Sequence, residues 1–193
     1  MSKRVFISYR REDTGAAAGR LYDRLLRLLP RSYVFYDVNT IRGGEEFETK
    51  TLSEIARSDV ALIFIGKNWL EPAQSSNKPR IWEPKDYVRA EVRAALARPM
   101  LVIPILVGGA RIPRAEEIPE DVRALIKKNA LLLTHENFDA DAENILVTIL
   151  GGSRANTIWD RKRWAWVKIV YACGGVLAVS ALMLIGSLGS VPN

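Results

Sequence analysis

Histidine and cysteine are almost missing from this chain of 193 residues, which has one of each, His135 and Cys173. A single cysteine excludes an intrachain disulfide, and this scarcity is typical of a domain that folds in the cytosol. A single histidine excludes metal sites built from clustered histidines and argues against a Ser-His-Asp triad. We therefore interpret His135 as an ordinary loop histidine, and we expect no metal centre.

Several phosphate-binding signatures are also missing. The first predicted strand is followed neither by G-x-x-x-x-G-K-[ST] nor by G-x-G-x-x-G, which excludes a P-loop and a dinucleotide-binding fingerprint at that position. A phosphoacceptor receiver domain has an aspartate at the end of its third strand, where this chain has Gly66. The N-terminal residues enter a strand directly, without the basic and apolar regions of a signal peptide, so we expect none.

Positive charge is concentrated towards the end of the chain. Residues 1–152 contain 23 Lys and Arg against 21 Asp and Glu, a net charge of +2, whereas residues 153–193 contain five against one, a net charge of +4. No basic stripe interleaved with aromatic residues runs through the first 152 residues. We therefore expect no nucleic-acid partner.

A charge-free run covers residues 169–188, and its 20 residues are enough for a helix that spans about 30 Å, the hydrocarbon thickness of a bilayer. Basic and aromatic residues mass at the N-terminal end of the run: Tyr171 lies within it, and before it come Arg161, Lys162, Arg163, Trp164, Trp166 and Lys168. We predict a domain over residues 1–150, a basic linker over 151–163 and a single transmembrane helix over 164–190, with the N-terminal domain in the cytoplasm. A buried C-terminal helix is the alternative.

Apolar runs and amphipathic segments alternate before this tail. The predicted strands cover residues 4–9, 33–36, 59–66, 100–107 and 130–133. The predicted helices run from a cap at Asp13 or Thr14 to Leu29, and over residues 47–57, 86–96, 120–128 and 140–150. This order predicts an α/β domain, a flavodoxin-like doubly wound sheet of five parallel strands. Ligands bind such sheets beyond the carboxyl ends of the strands, where we place residues 9–11, the loop 37–45 and the loop before Glu91.

Glu91 is the best candidate for chemistry. Tyr87 and Glu91 are four residues apart and share one face of a helix, while Val88, Val92, Ala95 and Leu96 form an apolar stripe opposite them. An aromatic ring beside a carboxylate, just after an irregular loop, is suited to a pocket at a sheet edge. Taken alone, the segment also fits a surface glutamate on an amphipathic helix.

A lone carboxylate is sufficient for one kind of glycosidic cleavage. The nicotinamide of NAD⁺ is cationic and leaves as a neutral molecule, so no general acid is required. One glutamate can then bind the ribose hydroxyls and stabilise the developing oxocarbenium charge. Arg10 and Arg11 would contact the pyrophosphate or the adenine face, or else are solvated loop charges.

Four segments in order along the chain resemble Toll/interleukin-receptor (TIR) domains. Residues 4–13 read RVFISYRRED, residues 37–47 include DV and IRGGEEF, residues 55–65 read IARSDVALIFI, and residues 86–91 read DYVRAE. They correspond to the first signature box, the BB loop, the approach to the third strand and the segment around the catalytic glutamate. The resemblance covers residues 3–150 and is to bacterial-type TIR proteins with a C-terminal transmembrane helix.

This resemblance implies cleavage of NAD⁺, as substrate and without a cofactor, to nicotinamide and ADP-ribose or a cyclised product. It implies that Glu91 is catalytic, and it implies substrate contacts from Ser8, Tyr9, Arg10, Arg11, Gly43, Gly44 and Tyr87. Many family members have Trp where this chain has Tyr87. The resemblance therefore does not determine the rate of cleavage or the type of product. Family enzymes act as homo-oligomers, in which the BB loop of one protomer completes its neighbour's pocket. The resemblance also implies a role in signalling or immunity.

Two other functions are compatible with the sequence. One is a non-enzymatic TIR adaptor that signals by homotypic TIR–TIR interaction, which leaves Glu91 at its aligned position unexplained. The other is a nucleoside deoxyribosyltransferase-like enzyme, because that fold also presents a glutamate to a ribose.

Overall fold

Five short apolar runs form a single sheet in the computed structural model, which describes residues 3–36, 47–72 and 78–151. The strands are β1 (Val5–Ser8), β2 (Val34–Tyr36), β3 (Val60–Ile65), β4 (Leu101–Val107) and β5 (Leu131–Leu133). All neighbours are parallel, in the order β2-β1-β3-β4-β5. The predicted five-stranded, doubly wound parallel sheet is therefore confirmed, and its strand order reverses between β1 and β3.

Within the described residues, three α-helices and several 3₁₀ segments connect these strands, and a fourth α-helix follows β5. The helices are α1 (Arg11–Leu26), α2 (Phe47–Arg57), α3 (Tyr87–Leu96) and α4 (Phe138–Leu150). The 3₁₀ segments are Arg31–Tyr33, Arg80–Trp82, Ala115–Glu117 and Glu120–Lys127. The short helix predicted over residues 120–128 is a 3₁₀ helix over Glu120–Lys127.

The start of α1 differs from the prediction. The helix begins at Arg11 because the backbone N–H groups of Asp13 and Thr14 donate to the carbonyl oxygen of Arg10, at 3.1 and 2.8 Å. Neither side chain therefore caps the helix. Thr14 is buried, and its hydroxyl donates to the same carbonyl oxygen at 3.3 Å. The helix ends at Leu26, three residues before the predicted end.

Two apolar clusters cover the two faces of the sheet. One packs α1 and α4 against β1, β3 and β4, and the other packs α2 and α3 against the opposite face. Alternation along β1 sends Val5 and Ile7 into the first cluster and Phe6 into the second. Ser8, the next residue on the side of Phe6, is therefore placed towards α3, and it is buried as well.

Several predictions lie outside the described residues. These are the loop 37–45 with Gly43 and Gly44, the linker beyond Gly151, and the transmembrane helix over residues 164–190. Within residues 3–36, 47–72 and 78–151, none of the helices combines the length and the apolar character needed to cross a bilayer. The residues from Met1 to Leu150 form one compact unit.

Candidate active site

Helix α3 begins at a capped position beside the carboxyl end of β1. The side chain of Asp86 accepts a hydrogen bond from the backbone N–H of Arg89 at 2.8 Å, which is the usual role of an aspartate at a helix N-cap. Val88, Val92 and Ala95 then pack into the cluster below the sheet. The cap and this apolar stripe together determine which side chains of α3 face the sheet.

Glu91 is one of the side chains that face the sheet. Its Oε2 accepts a hydrogen bond of 2.5 Å from the hydroxyl of Ser8. The two residues are 8% and 1% exposed. The predicted position of Glu91 on the polar face, opposite Val88 and Val92, is therefore wrong. The carboxylate can be buried because β1 ends in a hydroxyl-bearing residue, and a buried charge requires such partners.

Tyr87 does not share this environment, because 53% of its surface is exposed. The four-residue spacing does place Tyr87 and Glu91 on neighbouring turns of α3. However, the helix is rotated so that Glu91 lies towards the strand edge and Tyr87 lies towards solvent. The tyrosine ring is exposed at the surface, one helical turn from the buried carboxylate.

Arg10 and Asp86 form a buried ion pair on the same side of the sheet. Nη1 and Nη2 of Arg10 donate to the two carboxylate oxygens of Asp86 at 2.9 and 3.1 Å. The two side chains are 4% and 0% exposed. This two-point contact is the geometry in which guanidinium–carboxylate pairs are strongest.

A second arginine extends the pair to the surface. Nε of Arg80 lies 3.4 Å from Oδ2 of Asp86, and Nη1 of Arg80 donates to Oε1 of Glu12 at 2.6 Å. Glu12 belongs to the first turn of α1. The chain Glu12–Arg80–Asp86–Arg10 therefore joins the starts of α1 and α3 through alternating charges.

The remaining residues of the first predicted box lie elsewhere. Tyr9 stacks on Tyr36 with ring centroids 4.9 Å apart, and Tyr36 stacks on Tyr22 at the same distance, on the α1 side of the sheet. Arg11 is the exposed first residue of α1. The structure thus brings Ser8 and Glu91 together and pairs Arg10 with Asp86 at the start of the same helix, whereas Tyr9 packs on the α1 side of the sheet and Arg11 is exposed.

Two residues of this arrangement, Asp86 and Arg80, were not predicted. Asp86 had a local signal, since an aspartate just before an amphipathic helix is a typical N-cap. Its pairing with Arg10 joins positions 76 residues apart, and no local pattern indicates it.

A tight contact lies at the carboxyl end of β3. Oδ1 of Asp13 accepts the backbone N–H of Asn68 at 3.1 Å, and a Cβ placed on Gly66 would meet the same carboxylate at 2.4 Å. Oδ2 of Asp13 is buried and has no hydrogen-bond partner within the described ranges. Glycine at position 66 therefore provides the space that this carboxylate occupies.

Two cavities open near the carboxyl ends of β3, β4 and β5. The larger, about 480 Å³, is lined by Lys67, Trp69, Leu70, Gly109, Ala110, Arg111 and their neighbours. The smaller, about 240 Å³, lies between the first turns of α1 and α4 and includes His135, whose Nδ1 is 3.3 Å from Nη1 of Arg20. Glu91 lines neither of these two cavities. In the described part of the chain, no three His, Cys, Asp or Glu residues are grouped as a metal site.

A surface ion pair beside the larger cavity carries the clearest pKa shift. Arg111 donates to both carboxylate oxygens of Glu117 at 2.7 and 2.5 Å, and the backbone N–H of Arg114 donates to Oε2 at 2.6 Å. The hydrogen bond from Arg111, followed by that from Arg114, lowers the pKa of Glu117 from 4.5 to about 2. This pair stabilises the loop after β4 and lies outside the Ser8–Glu91 arrangement.

The N-terminal domain is similar to known proteins. Residues 5–146 match a family model described as TIR domain. The chain is 30% identical over 149 residues to the NAD(+) hydrolase tir-1 of Caenorhabditis elegans, and 30% identical over 142 residues to the NAD(+) hydrolase SARM1 of Danio rerio. These matches cover 76% and 74% of the chain but only 14% and 19% of the relatives, so the chain spans less than a fifth of their length.

A solved structure gives the same fold. The TIR domains in the structure of the activated Roq1 resistosome, directly recognizing the pathogen effector XopQ, align with a TM-score of 0.57 at 15% identity. The alignment covers 77% of this chain and 99% of that chain. At this identity the likeness concerns the fold alone.

Proposed function

The chain belongs to the TIR domain family, and we propose that it is a membrane-anchored NAD⁺ hydrolase that acts as a self-assembled oligomer. The similarity to two proteins named NAD(+) hydrolases, over about three quarters of this chain, supports the substrate. The position of the candidate carboxylate supports the reaction.

The observation that carries the proposal is the contact between Ser8 and Glu91. The carboxylate lies at the carboxyl end of β1, beside the point where the strand order reverses between β1 and β3. Doubly wound sheets bind their ligands outside the carboxyl ends of the strands at such a point. A negative charge held there is well placed to meet a cationic ribosyl group.

The chemistry requires charge stabilisation more than proton transfer. When the bond between C1′ and the nicotinamide nitrogen breaks, nicotinamide leaves as a neutral molecule and positive charge develops on the ribose. The carboxylate of Glu91 opposes that charge. Because Ser8 holds Oε2 in advance, little reorganisation is needed during the reaction, and such preorganisation is the usual source of electrostatic catalysis. Attack of water on C1′ gives ADP-ribose, whereas attack by the adenine gives a cyclic product.

The other parts of the proposal concern the surroundings of the pocket. We place Ser8, Arg10 and Tyr87 at its edge, and we leave out Tyr9, which packs on the α1 side of the sheet, and Arg11, the exposed first residue of α1. The loop with Gly43 and Gly44 would come from a neighbouring protomer and complete the pocket. Glycines suit such a loop because they allow close backbone approach and positive φ.

The anchor is proposed from the charge pattern of the tail. Residues 164–190 contain the charge-free run, and the basic residues precede it. The positive-inside rule then places residues 1–150 in the cytoplasm. Protomers confined to one membrane surface have a raised effective concentration, which favours self-assembly.

The test is incubation of the full-length chain, in membranes, with NAD⁺ and separation of the nucleotides by chromatography. The wild-type protein should release nicotinamide together with ADP-ribose or a cyclic product. Glu91→Gln and Glu91→Ala should each reduce the rate by about 10²–10³, the loss that follows removal of one electrostatic contact to a transition state. Activity of either variant within a few-fold of wild type would contradict the assignment of Glu91.

One observation favours the adaptor as a second candidate. Glu91 is only 8% exposed and is bonded to Ser8, and a pair of this kind also suits a purely structural role inside the domain. The same experiment separates the two functions. An adaptor would assemble, which light scattering would detect, but it would leave NAD⁺ intact.

A further inference from the structure

We propose that the Arg10–Asp86 ion pair positions Glu91, and that Arg10 therefore acts on helix α3 and not on the phosphates of the substrate. This inference rests on the proposed function, because that function makes Glu91 the catalytic group. Asp86 and Arg80 acquire roles as positioning residues.

Both terminal nitrogens of the Arg10 guanidinium are already engaged by Asp86. The side chain is 4% exposed. Its Nε is buried and has no hydrogen-bond partner within the described ranges. A pyrophosphate would have to displace a buried, two-point carboxylate contact to reach this group, and breaking such a pair leaves an uncompensated charge inside the protein.

Asp86 connects Arg10 to the helix that carries Glu91. Its Oδ1, which accepts from Arg10, also accepts the backbone N–H of Arg89 and so caps α3. Glu91 is five residues further along the same helix. A shift of the cap therefore moves the first turns of α3, including the carboxylate.

Two contacts attach α3 to the end of β1. Arg10 holds the helix at its cap, and Ser8 holds it at Glu91. Ser8 and Arg10 are two residues apart on the side of the sheet that faces α3, so the pair of contacts determines both the rotation of the helix and its position along its axis. Arg80 reinforces the first contact by placing a second cation 3.4 Å from Asp86.

Conservative variants test this while keeping a hydrogen-bonding group at each position. Asp86→Asn keeps an oxygen that can cap α3 but removes the charge, and Arg10→Lys keeps the charge but removes the planar two-point contact. Each should lower kcat for NAD⁺ by up to about 10²-fold, the cost of a displacement of roughly 1 Å at a reacting group. KM should stay unchanged, and the double variant should be no worse than the worse single variant, because both substitutions break one shared contact.

Binding of phosphate by Arg10 gives a different pattern. Arg10→Lys would then raise KM, Asp86→Asn would leave KM and kcat near wild type, and the two effects would add. That result would overturn the proposal. Glu117→Gln is the matched control, since it weakens a two-point contact with an arginine outside this arrangement, and it should leave both constants unchanged.

Hydrogen exchange provides a measurement that does not depend on activity. In the full-length chain, the amides of Arg89, Ala90 and Glu91 should exchange faster in Arg10→Lys and Asp86→Asn than in wild type, while the amides of α4 should be unaffected. If wild type does not cleave NAD⁺, the proposed function fails, whereas faster exchange would still support the attachment of α3 through Arg10. Unchanged exchange in both variants would overturn the positioning role, whatever their activity.

Discussion

The hydroxyl of Ser8 lies 2.5 Å from Oε2 of Glu91, although the two residues are 83 positions apart in the chain. The contact joins the last residue of β1 to the middle of α3 at a point where both elements otherwise bury apolar side chains. A polar contact in this setting is strengthened by the low local dielectric, and its loss is correspondingly costly.

Ser8→Ala should reduce both stability and activity. The substitution removes one donor from a nearly buried carboxylate, and hydrogen bonds to charged groups contribute about 1.5–3 kcal/mol to the free energy of unfolding. The rate of NAD⁺ cleavage should fall as well, because Glu91 loses part of its fixed orientation. Denaturant unfolding and nucleotide chromatography on the same preparation measure the two effects.

Ser53→Ala is the control for this prediction. Ser53 also donates through its hydroxyl, to the carbonyl oxygen of Lys50, but that contact is exposed on α2. Ser53→Ala should therefore change neither the free energy of unfolding nor the rate of NAD⁺ cleavage. A Ser8→Ala variant with wild-type stability and activity would mean that the hydroxyl merely fills space.

Gly66→Ala should destabilise the domain through Asp13. The added Cβ would meet the carboxylate at 2.4 Å, so Asp13 must move and its contact with the backbone N–H of Asn68 must break. We expect a loss of about 0.5–1.5 kcal/mol, the net contribution of one intramolecular hydrogen bond. In an Asp13→Ala background the clash is absent, and Gly66→Ala should then cost less. Denaturant unfolding measures the loss of stability caused by Gly66→Ala in each background. Equal losses would show that the contact with Asp13 is not the reason why position 66 requires glycine.

The sheet was predictable because its signal is local. Each strand is a short apolar run between polar or turn-forming residues, and the alternation of strands with amphipathic segments determines a parallel order. The rotation of α3 was not predictable in the same way. Glu91 lies between Tyr87 and Ala95 around the helix, at the border of the apolar stripe, so periodicity alone leaves its environment open. It is buried in the structure, where its carboxylate accepts a hydrogen bond from Ser8 at the end of a distant strand. Periodicity within the helix contains no information about that partner.

The role of Arg10 shows the same limit. An arginine just after a strand at the ligand-binding edge predicts a contact with the pyrophosphate or the adenine face, or else a solvated loop charge. The structure buries Arg10 and pairs it with Asp86, so the solvated charge is wrong. The capping position of Asp86 is visible in the sequence, but its partner is not. The start of α1 differs for a further reason, since the carbonyl oxygen of Arg10 closes the first turn and no side-chain cap is needed.

The Arg111–Glu117 pair should contribute stability that depends on pH. The pKa of Glu117 is lowered from 4.5 to about 2 in the folded protein, so the ionised form is favoured by folding. Its contribution is fully present above pH 4.5 and is lost as the pH falls towards 2. The effect should be small because the pair lies at the surface. The difference in Tm between wild type and Glu117→Gln should therefore narrow over this range, and a difference that widens instead would contradict the assignment.

Deletion of residues 164–193 should convert the protein from membrane-bound to soluble without unfolding the domain. The core of the domain is complete within Met1–Leu150, where both faces of the sheet are covered by α1, α4, α2 and α3. The deleted segment contains the charge-free run of 20 residues, which is long enough to cross a bilayer. Carbonate extraction of membranes should leave the full-length chain in the pellet and release the truncated chain, and full-length protein in the soluble fraction would refute the anchor.

The anchor should also affect NAD⁺ cleavage if activity requires assembly. Membrane attachment confines the protomers to two dimensions and so raises their effective concentration, and contacts too weak to form in dilute solution can then be populated. The truncated domain should therefore cleave NAD⁺ only at high concentration or with a crowding agent. Fusion to an unrelated membrane span should restore activity, because the effect depends on confinement and not on the sequence of the helix. If the truncated domain is fully active when dilute, assembly at the membrane is not what activates Glu91, and the preorganised contact with Ser8 is sufficient by itself.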